Sequence, residues 1–427
     1  MQCPAWSLLT VVITAVSCLA AGPLCAEPLT WQEVRAKFIS TNPTLQAARI
    51  GVDETRAQEI TANMRPNPEF TVGYDNLHPW RKSETTVDVQ KYVSLSYLFE
   101  RMNKRALRRE SAEKETRIAV SQTADLERNL LFTLRSAFIQ VLQQKAALDL
   151  AKENLLYYDK ALEVNAHRFK AGDIARIDLA RLQLQRVQFE SDVQNALVSL
   201  RTSKIQLLML LDDRTPVDLF DVTGSFEFSE TIESLTEFRD IALEARPDLR
   251  AAVQAYDQAK TNQQLAEANA STDPTVGIGM GRLAESSGSD PNSNSLRNYV
   301  GFSISIPLRI FDRNQGERLR TKLDINRTDR LRAAAEAQLY SDVDSAHAAL
   351  MSTVALLKPY KEKYLDQALT VRDTMTFSYE RGGASLLDFL ETQRDYRTVM
   401  MTYLGLVGSY LTSAAQLNLA VGREVIQ

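Results

Sequence analysis

Residues 168–179 read RFKAGDIARIDL and residues 378–389 read SYERGGASLLDF. An aromatic residue, a Gly three positions on and an Asp six beyond that recur at a constant offset of 210 positions (379 − 169). A chain written twice must build the same unit twice, so every element found in one half constrains the other.

The two halves keep one order of elements. Each opens with a Pro entering a helix-like stretch, Asn42-Pro43-Thr44-Leu45 and Arg246-Pro247-Asp248-Leu249. Short alternating segments follow, PEFTVGY (68–74) and PTVGIGM (274–280), and then VSLSYLF (93–99) and VGFSISIPLRIF (300–311), each suited to a strand. FERMNK (99–104) and FDRNQG (311–316) have the polar make-up of a turn and a helix start. Long helical stretches come next, about 103–169 and 314–380, each roughly 100 Å at 1.5 Å per residue. The reading is a first repeat at 27–222, with strands about 68–77 and 88–99 and a helical hairpin about 103–212, and a second at 223–427, with strands about 274–283 and 297–310 and a hairpin about 314–421.

Leu339, Val343, Ala346, Leu350, Val354 and Leu357 form a coiled-coil seam, and Leu126, Leu130, Leu134, Phe138 and Leu142 a comparable stripe in the first half. The returning helix carries Val193, Leu197, Leu200, Leu207 and Leu211. Helical periodicity alone would suit an antiparallel bundle. The strands argue for more: Val300, Phe302, Ile304, Ile306 and Leu308 alternate with Gly301, Ser303, Ser305 and Pro307, and Val276, Ile278 and Met280 with three glycines. One face is apolar and the other small and polar, as in a barrel wall between lipid and water. Two hairpins give too few strands to close such a barrel, and an open edge in lipid leaves backbone groups unsatisfied, so several chains must share one. The loops 76–87 and 284–298 are polar and turn-rich, suiting exposure to water.

The first 26 residues are expected to be a secretory signal peptide cleaved near Ala26, although Ala15-Val16-Ser17-Cys18 also resembles a lipidation site. Cys3, Cys18 and Cys25 all lie there, so the mature chain would hold no thiol. Beyond residue 26 no apolar run of ~18 residues occurs, which leaves strands as the means of crossing a membrane. A net charge of −4 gives no sign of a nucleic-acid partner. His78, His167 and His347 lack metal-ligand spacing and Met375, Met400 and Met401 read as core filler; no catalytic set stands out.

At the quoted motifs, Gly172, Gly382 and Gly383 suit the backbone angles that end a helix, Phe169 and Tyr379 are expected to pack across the reversal, and Asp178 and Asp388 fall in the first turns of the returning helices. Asp388 is followed at i+3 by Glu391, where the first repeat has Arg181, so paired acids mark the second tip alone.

Signal segment, duplication, one strand pair per repeat and long helical hairpins together resemble the TolC-like outer-membrane factor family over about 28–422. RPNPEF (65–70) and FDRNQGE (311–317) look most like its CzcC-type heavy-metal efflux branch. The resemblance implies a mainly α fold with a β-barrel portion: a trimeric α-helical barrel in the periplasm and a shared twelve-stranded transmembrane β-barrel in the bacterial outer membrane. It implies no enzyme activity and no cofactor. It also implies a homotrimer acting as exit duct of a tripartite efflux system with a periplasmic adaptor and an inner-membrane RND transporter, exporting heavy-metal cations. Ducts for drug efflux and type I protein secretion share this architecture. A periplasmic coiled-coil adaptor is the alternative of another class, though it would not be duplicated with a strand pair in each half. By the same resemblance Asp388 and Glu391 ring a periplasmic aperture, Tyr379 joins its hydrogen-bond network, and the tips around Gly172, Asp178, Gly382 and Gly383 dock the adaptor. Ala384 stands where some members carry a gating arginine.

Overall fold

The structure is a computed structural model that describes residues 27–75, 90–229, 232–286 and 294–426. The expected signal segment with its cysteines, His78, the loop 76–87 and the middle of the loop 284–298 lie outside the described residues.

Each repeat begins with a short helix that the sequence reading did not separate: α1 (Trp31–Thr41) and α5 (Leu235–Ala245). A capping box starts α1, with Thr30 and Glu33 exchanging side-chain and backbone hydrogen bonds. Pro43 and Pro247 then open α2 (Pro43–Asn63) and α6 (Pro247–Asn269) at the first helical position, where a missing N–H costs nothing.

The strands are β1 (Glu69–Asp75), β2 (Gln90–Leu98), β3 (Thr275–Ser286) and β4 (Asn294–Ser305), joined in the antiparallel order β1-β2-β3-β4. The two repeats therefore meet in one sheet at β2 and β3. Register sets its faces. Phe70, Leu95, Ile278 and Phe302 form one rung, and Val72, Val93, Met280 and Val300 the next on the same side. The other side carries Thr71, Ser94, Gly279 and Gly301. The apolar side is exposed, with Phe302 81% open to solvent in a single chain. β4 ends at Ser305, paired with Thr275, short of the expected 310. Pro274 precedes its partner strand and Pro307 has no N–H to donate, so the ladder stops there although the alternation continues.

α3 (Lys104–Ala171) runs unbroken for 68 residues, about 100 Å, and returns as α4 (Arg176–Leu210). Its counterpart is not one helix: α7 (Gln315–Pro359) passes through a π-helical turn, Tyr360–Tyr364, into α8 (Leu365–Glu380), and α9 (Leu386–Val421) returns. The expected single stretch 314–380 is interrupted because Pro359 lacks the N–H its turn needs and its ring crowds the carbonyl four residues back. The first repeat has Asp149 at the matching position (359 − 210) and passes straight through.

The expected seams are the cores. Leu339, Val343, Ala346, Leu350 and Leu357 are buried with α5 and α9, and Val354 packs at the margin. Leu134, Phe138 and Leu142 meet Val34 and Phe38 of α1, Leu207 of α4 and Leu211, which caps its C-terminus. A third cluster lies near the tips, and it joins the repeats.

Candidate functional site at the hairpin tips

Both long helices end in the same backbone motif. In the first repeat Gly172 takes φ +87°, its N–H donates to the Phe169 carbonyl, and the Asp173 N–H donates to that of Arg168. In the second, Gly382 takes φ +76°, its N–H donates to the Tyr379 carbonyl, and the Gly383 N–H donates to that of Ser378. The left-handed residue that only Gly tolerates well is thus Gly172 or Gly382. Gly383 corresponds to Asp173 and does not adopt a positive φ, contrary to its expected role.

The side chains diverge. Phe169 stays exposed and outside the apolar cluster, so it does not pack across the first reversal. Tyr379 is buried, stacked on Phe389 with ring centroids 4.8 Å apart. Its hydroxyl donates to Oδ1 of Asn165 on α3 at 3.0 Å, and Asn165 Nδ2 donates to the Ala161 carbonyl. The Arg168 guanidinium lies over the Tyr379 ring and donates to its backbone carbonyl at 3.1 Å. Burial pushes the Tyr379 hydroxyl above its ordinary pKa, with Arg168 opposing, so it remains a donor. Beside it Tyr158 donates to the Leu182 carbonyl and stacks on Phe189.

Three more ties bind the second hairpin to the first. Tyr157 donates to Thr376 at 2.8 Å, Arg397 of α9 pairs with Asp192 of α4 at 2.6 Å, and the Arg372 guanidinium sits over the rings of Tyr157 and Tyr396. Asn165, Arg168, Arg372 and the Arg397–Asp192 pair were not singled out in the sequence. Their partners lie about 200 residues away, and no local spacing announces them.

The acids behave differently from one another. Asp388 completes a capping box: the Ser385 hydroxyl accepts from the Asp388 N–H, and the Asp388 carboxylate accepts from the Ser385 N–H and hydroxyl. Asp178 occupies the same position after Ala175, which has no hydroxyl to share. Asp388 therefore has a helix-starting role of its own, more than Asp178 has. Glu391, one turn on, is exposed and makes no ion pair with a described residue. Among the described residues no group of three or more His, Asp or Glu side chains is placed to hold a metal ion, and no helix is long and apolar enough to cross a membrane.

The sequence profile described as Outer membrane efflux protein matches residues 35–211 and 239–423, one match on each repeat. The chain belongs to the outer membrane efflux protein family. It is 23% identical over 398 residues to the cobalt-zinc-cadmium resistance protein CzcC of Cupriavidus metallidurans, covering 93% of this chain and 91% of that protein. Among solved structures it resembles CusC, described for transmembrane channel formation, with TM-score 0.74 at 17% identity over 92% of each chain. It also resembles the open state of the MtrE outer membrane channel of Neisseria gonorrhoeae, with TM-score 0.73 at 19% identity over 92% of this chain and 89% of that one. This outer membrane efflux protein is accordingly a channel and not an enzyme. The duplication, the mainly α fold and the family expected from the sequence are those observed.

Proposed function

We propose that the protein is the homotrimeric outer-membrane duct of a tripartite RND-type efflux system and that its cargo is heavy-metal cations. The observation that carries the duct is the sheet: β1 and β4 are both edges, and one face carries an exposed apolar band through Phe70, Val72, Ile278, Met280, Val300 and Phe302. Four strands from each of three chains close a twelve-stranded barrel and remove the edges that lipid would leave unsatisfied. The likeness to CzcC along nearly its whole length supports metal cargo. The long hairpins then extend into the periplasm, with the tips near Gly172, Asp178, Gly382 and Gly383 meeting an adaptor, and Asp388 and Glu391 lining the aperture.

Deletion followed by a sensitivity panel tests the cargo. Loss of tolerance to cobalt, zinc and cadmium, restored by the intact gene, is the expected outcome. Hypersensitivity confined to hydrophobic drugs would assign the duct to drug efflux instead. Cross-linking of detergent-extracted protein tests the trimer, and a stable membrane-inserted monomer would contradict it.

A further inference from the structure

The last rung shared by all four strands, counted away from the helices, is Tyr74, Lys91, Arg282 and Asn298. By register it lies on the apolar face, directly beyond Val72, Val93, Met280 and Val300. Two cations therefore stand side by side where the wall has so far been hydrocarbon-like. Lys91 Nζ lies over the Tyr74 ring at 5.8 Å, and Arg282 Nε donates to Asn298 Oδ1 at 3.2 Å. Among the described residues neither has a carboxylate within ion-pair distance. The apolar side chains from Val276 to this rung span roughly 20 Å along β3.

Two cations side by side at the rim of an apolar band, unpaired with any carboxylate of the described residues, match a surface that is apolar below and anionic above. Long cationic side chains at such a rim keep their stems in the acyl region and their heads among phosphates, and a Tyr beside them suits the interface. The rung lies at the end distal to the helices, so on the duct reading, on which this inference rests, it faces the outer leaflet. The geometry points to Lys91 and Arg282 of each protomer as a site for the phosphorylated headgroup of an outer-leaflet glycolipid, with the Val72–Val300 rung receiving its acyl chains. Arg282 would take phosphate oxygens in its planar fork and Lys91 would add a point charge.

Native mass spectrometry of the purified trimer tests this with bis-phosphorylated lipid A, its dephosphorylated form and inorganic pyrophosphate as probes. The parent should retain the bis-phosphorylated lipid about tenfold better than the dephosphorylated one. The Lys91→Gln, Arg282→Gln variant should retain both alike. Equal retention of the two lipids by the parent, an unchanged preference in the variant, or displacement of the lipid by equimolar pyrophosphate overturns the assignment. The same preparation is inserted in a planar bilayer. A parent that forms no channel refutes the duct reading itself, whereas a conducting parent without the phosphate preference refutes this inference alone.

Discussion

The hydroxyl of Tyr379, in the second repeat, donates to Oδ1 of Asn165, in the first, at 3.0 Å, and both residues are buried. This bond ties the second hairpin, whose outgoing helix is interrupted at Pro359, to a helix that has no break. Tyr379→Phe keeps the stack on Phe389 but leaves the Asn165 oxygen without its donor, at a local cost of about 1–3 kcal/mol. We expect faster amide exchange across 376–392 and a higher mean single-channel conductance, with trimer yield unchanged. A variant matching the parent in both would remove this bond from any account of gating.

The π turn Tyr360–Tyr364 is the one break in the outgoing helix of the second repeat among the described residues. Pro359→Ala restores an N–H to a helix otherwise built of good helix formers, so exchange protection over 355–364 should rise. The matching segment of the first repeat, around Asp149, should be unaffected. Unchanged protection would mean that the turn is held by packing around Tyr360 and Tyr364, whose rings meet edge to face, and not by the proline.

These two features mark where the sequence stopped being legible. The duplicated Phe169/Tyr379 motif announced both reversals, and the seam through Leu339, Val343 and Leu350 announced the core, because each depends on residues within one or two helical turns. The alternation of Val300, Phe302 and Ile304 likewise announced a strand with one lipid-like face. The pairing of Asn165 with Tyr379, or of Asp192 with Arg397, depends on how two hairpins pack and leaves no local trace. Pro359 lies within a helical period that continues on both sides of it, so periodicity alone does not show the break. The Ser385-x-x-Asp388 cap is a local pattern legible in the sequence, and it stands beside the acidic pair without deciding its role.

Arg246 locks the start of the second repeat to its end. Only 3% exposed, it pairs with Asp248 at 2.5 Å and Asp342 at 2.9 Å, and donates to the Ala420 carbonyl. Burial raises the Asp248 carboxyl, but the hydrogen bond and charge of Arg246 outweigh it and hold the group below its ordinary value. Arg246→Met should destabilise the protomer by about 2–3 kcal/mol, since Asp342 loses its counter-charge and Asp248 keeps only Arg128 at 3.9 Å, while both carboxylates remain partly solvated. Arg35→Ala, at a pair with Glu424 half open to water, should cost less than about 1 kcal/mol. Thermal unfolding of the two variants side by side checks the contrast.

Acid lability should concentrate at the Lys37–Asp213 pair, which joins α1 to the end of α4 at 2.5 Å. The hydrogen bond from Lys37 lowers the Asp213 carboxyl from 3.8 to about 2, against burial and with help from Thr215. A depressed carboxyl contributes stability that is complete above its unfolded value near 4 and is lost as pH falls towards 2. Lys37→Met should flatten the loss of stability across that window and leave the slope above pH ~5 unchanged. Equal slopes for parent and variant between those limits would place the acid sensitivity elsewhere.

The aperture assignment requires separating charge from capping. If Asp388 and Glu391 of three protomers converge on one axis, six carboxylates attract cations, and a multivalent cation bridges and blocks them. Asp388→Ala together with Glu391→Ala should then weaken block by divalent and trivalent cations and reduce cation selectivity. Asp388 also completes the Ser385 cap, so the double variant loses up to about 1 kcal/mol of helix-start stability along with the charge. Ser385→Ala removes the cap and keeps both acids, and it should leave cation block at the parental level. Glu391→Gln removes one charge per chain and leaves the cap whole, and it should give part of the effect. Asp178→Ala, on the first tip, should change nothing in the recordings. Weakened block in Ser385→Ala with parental block in Glu391→Gln would show that the start of α9, and not a ring of charge, sets the constriction.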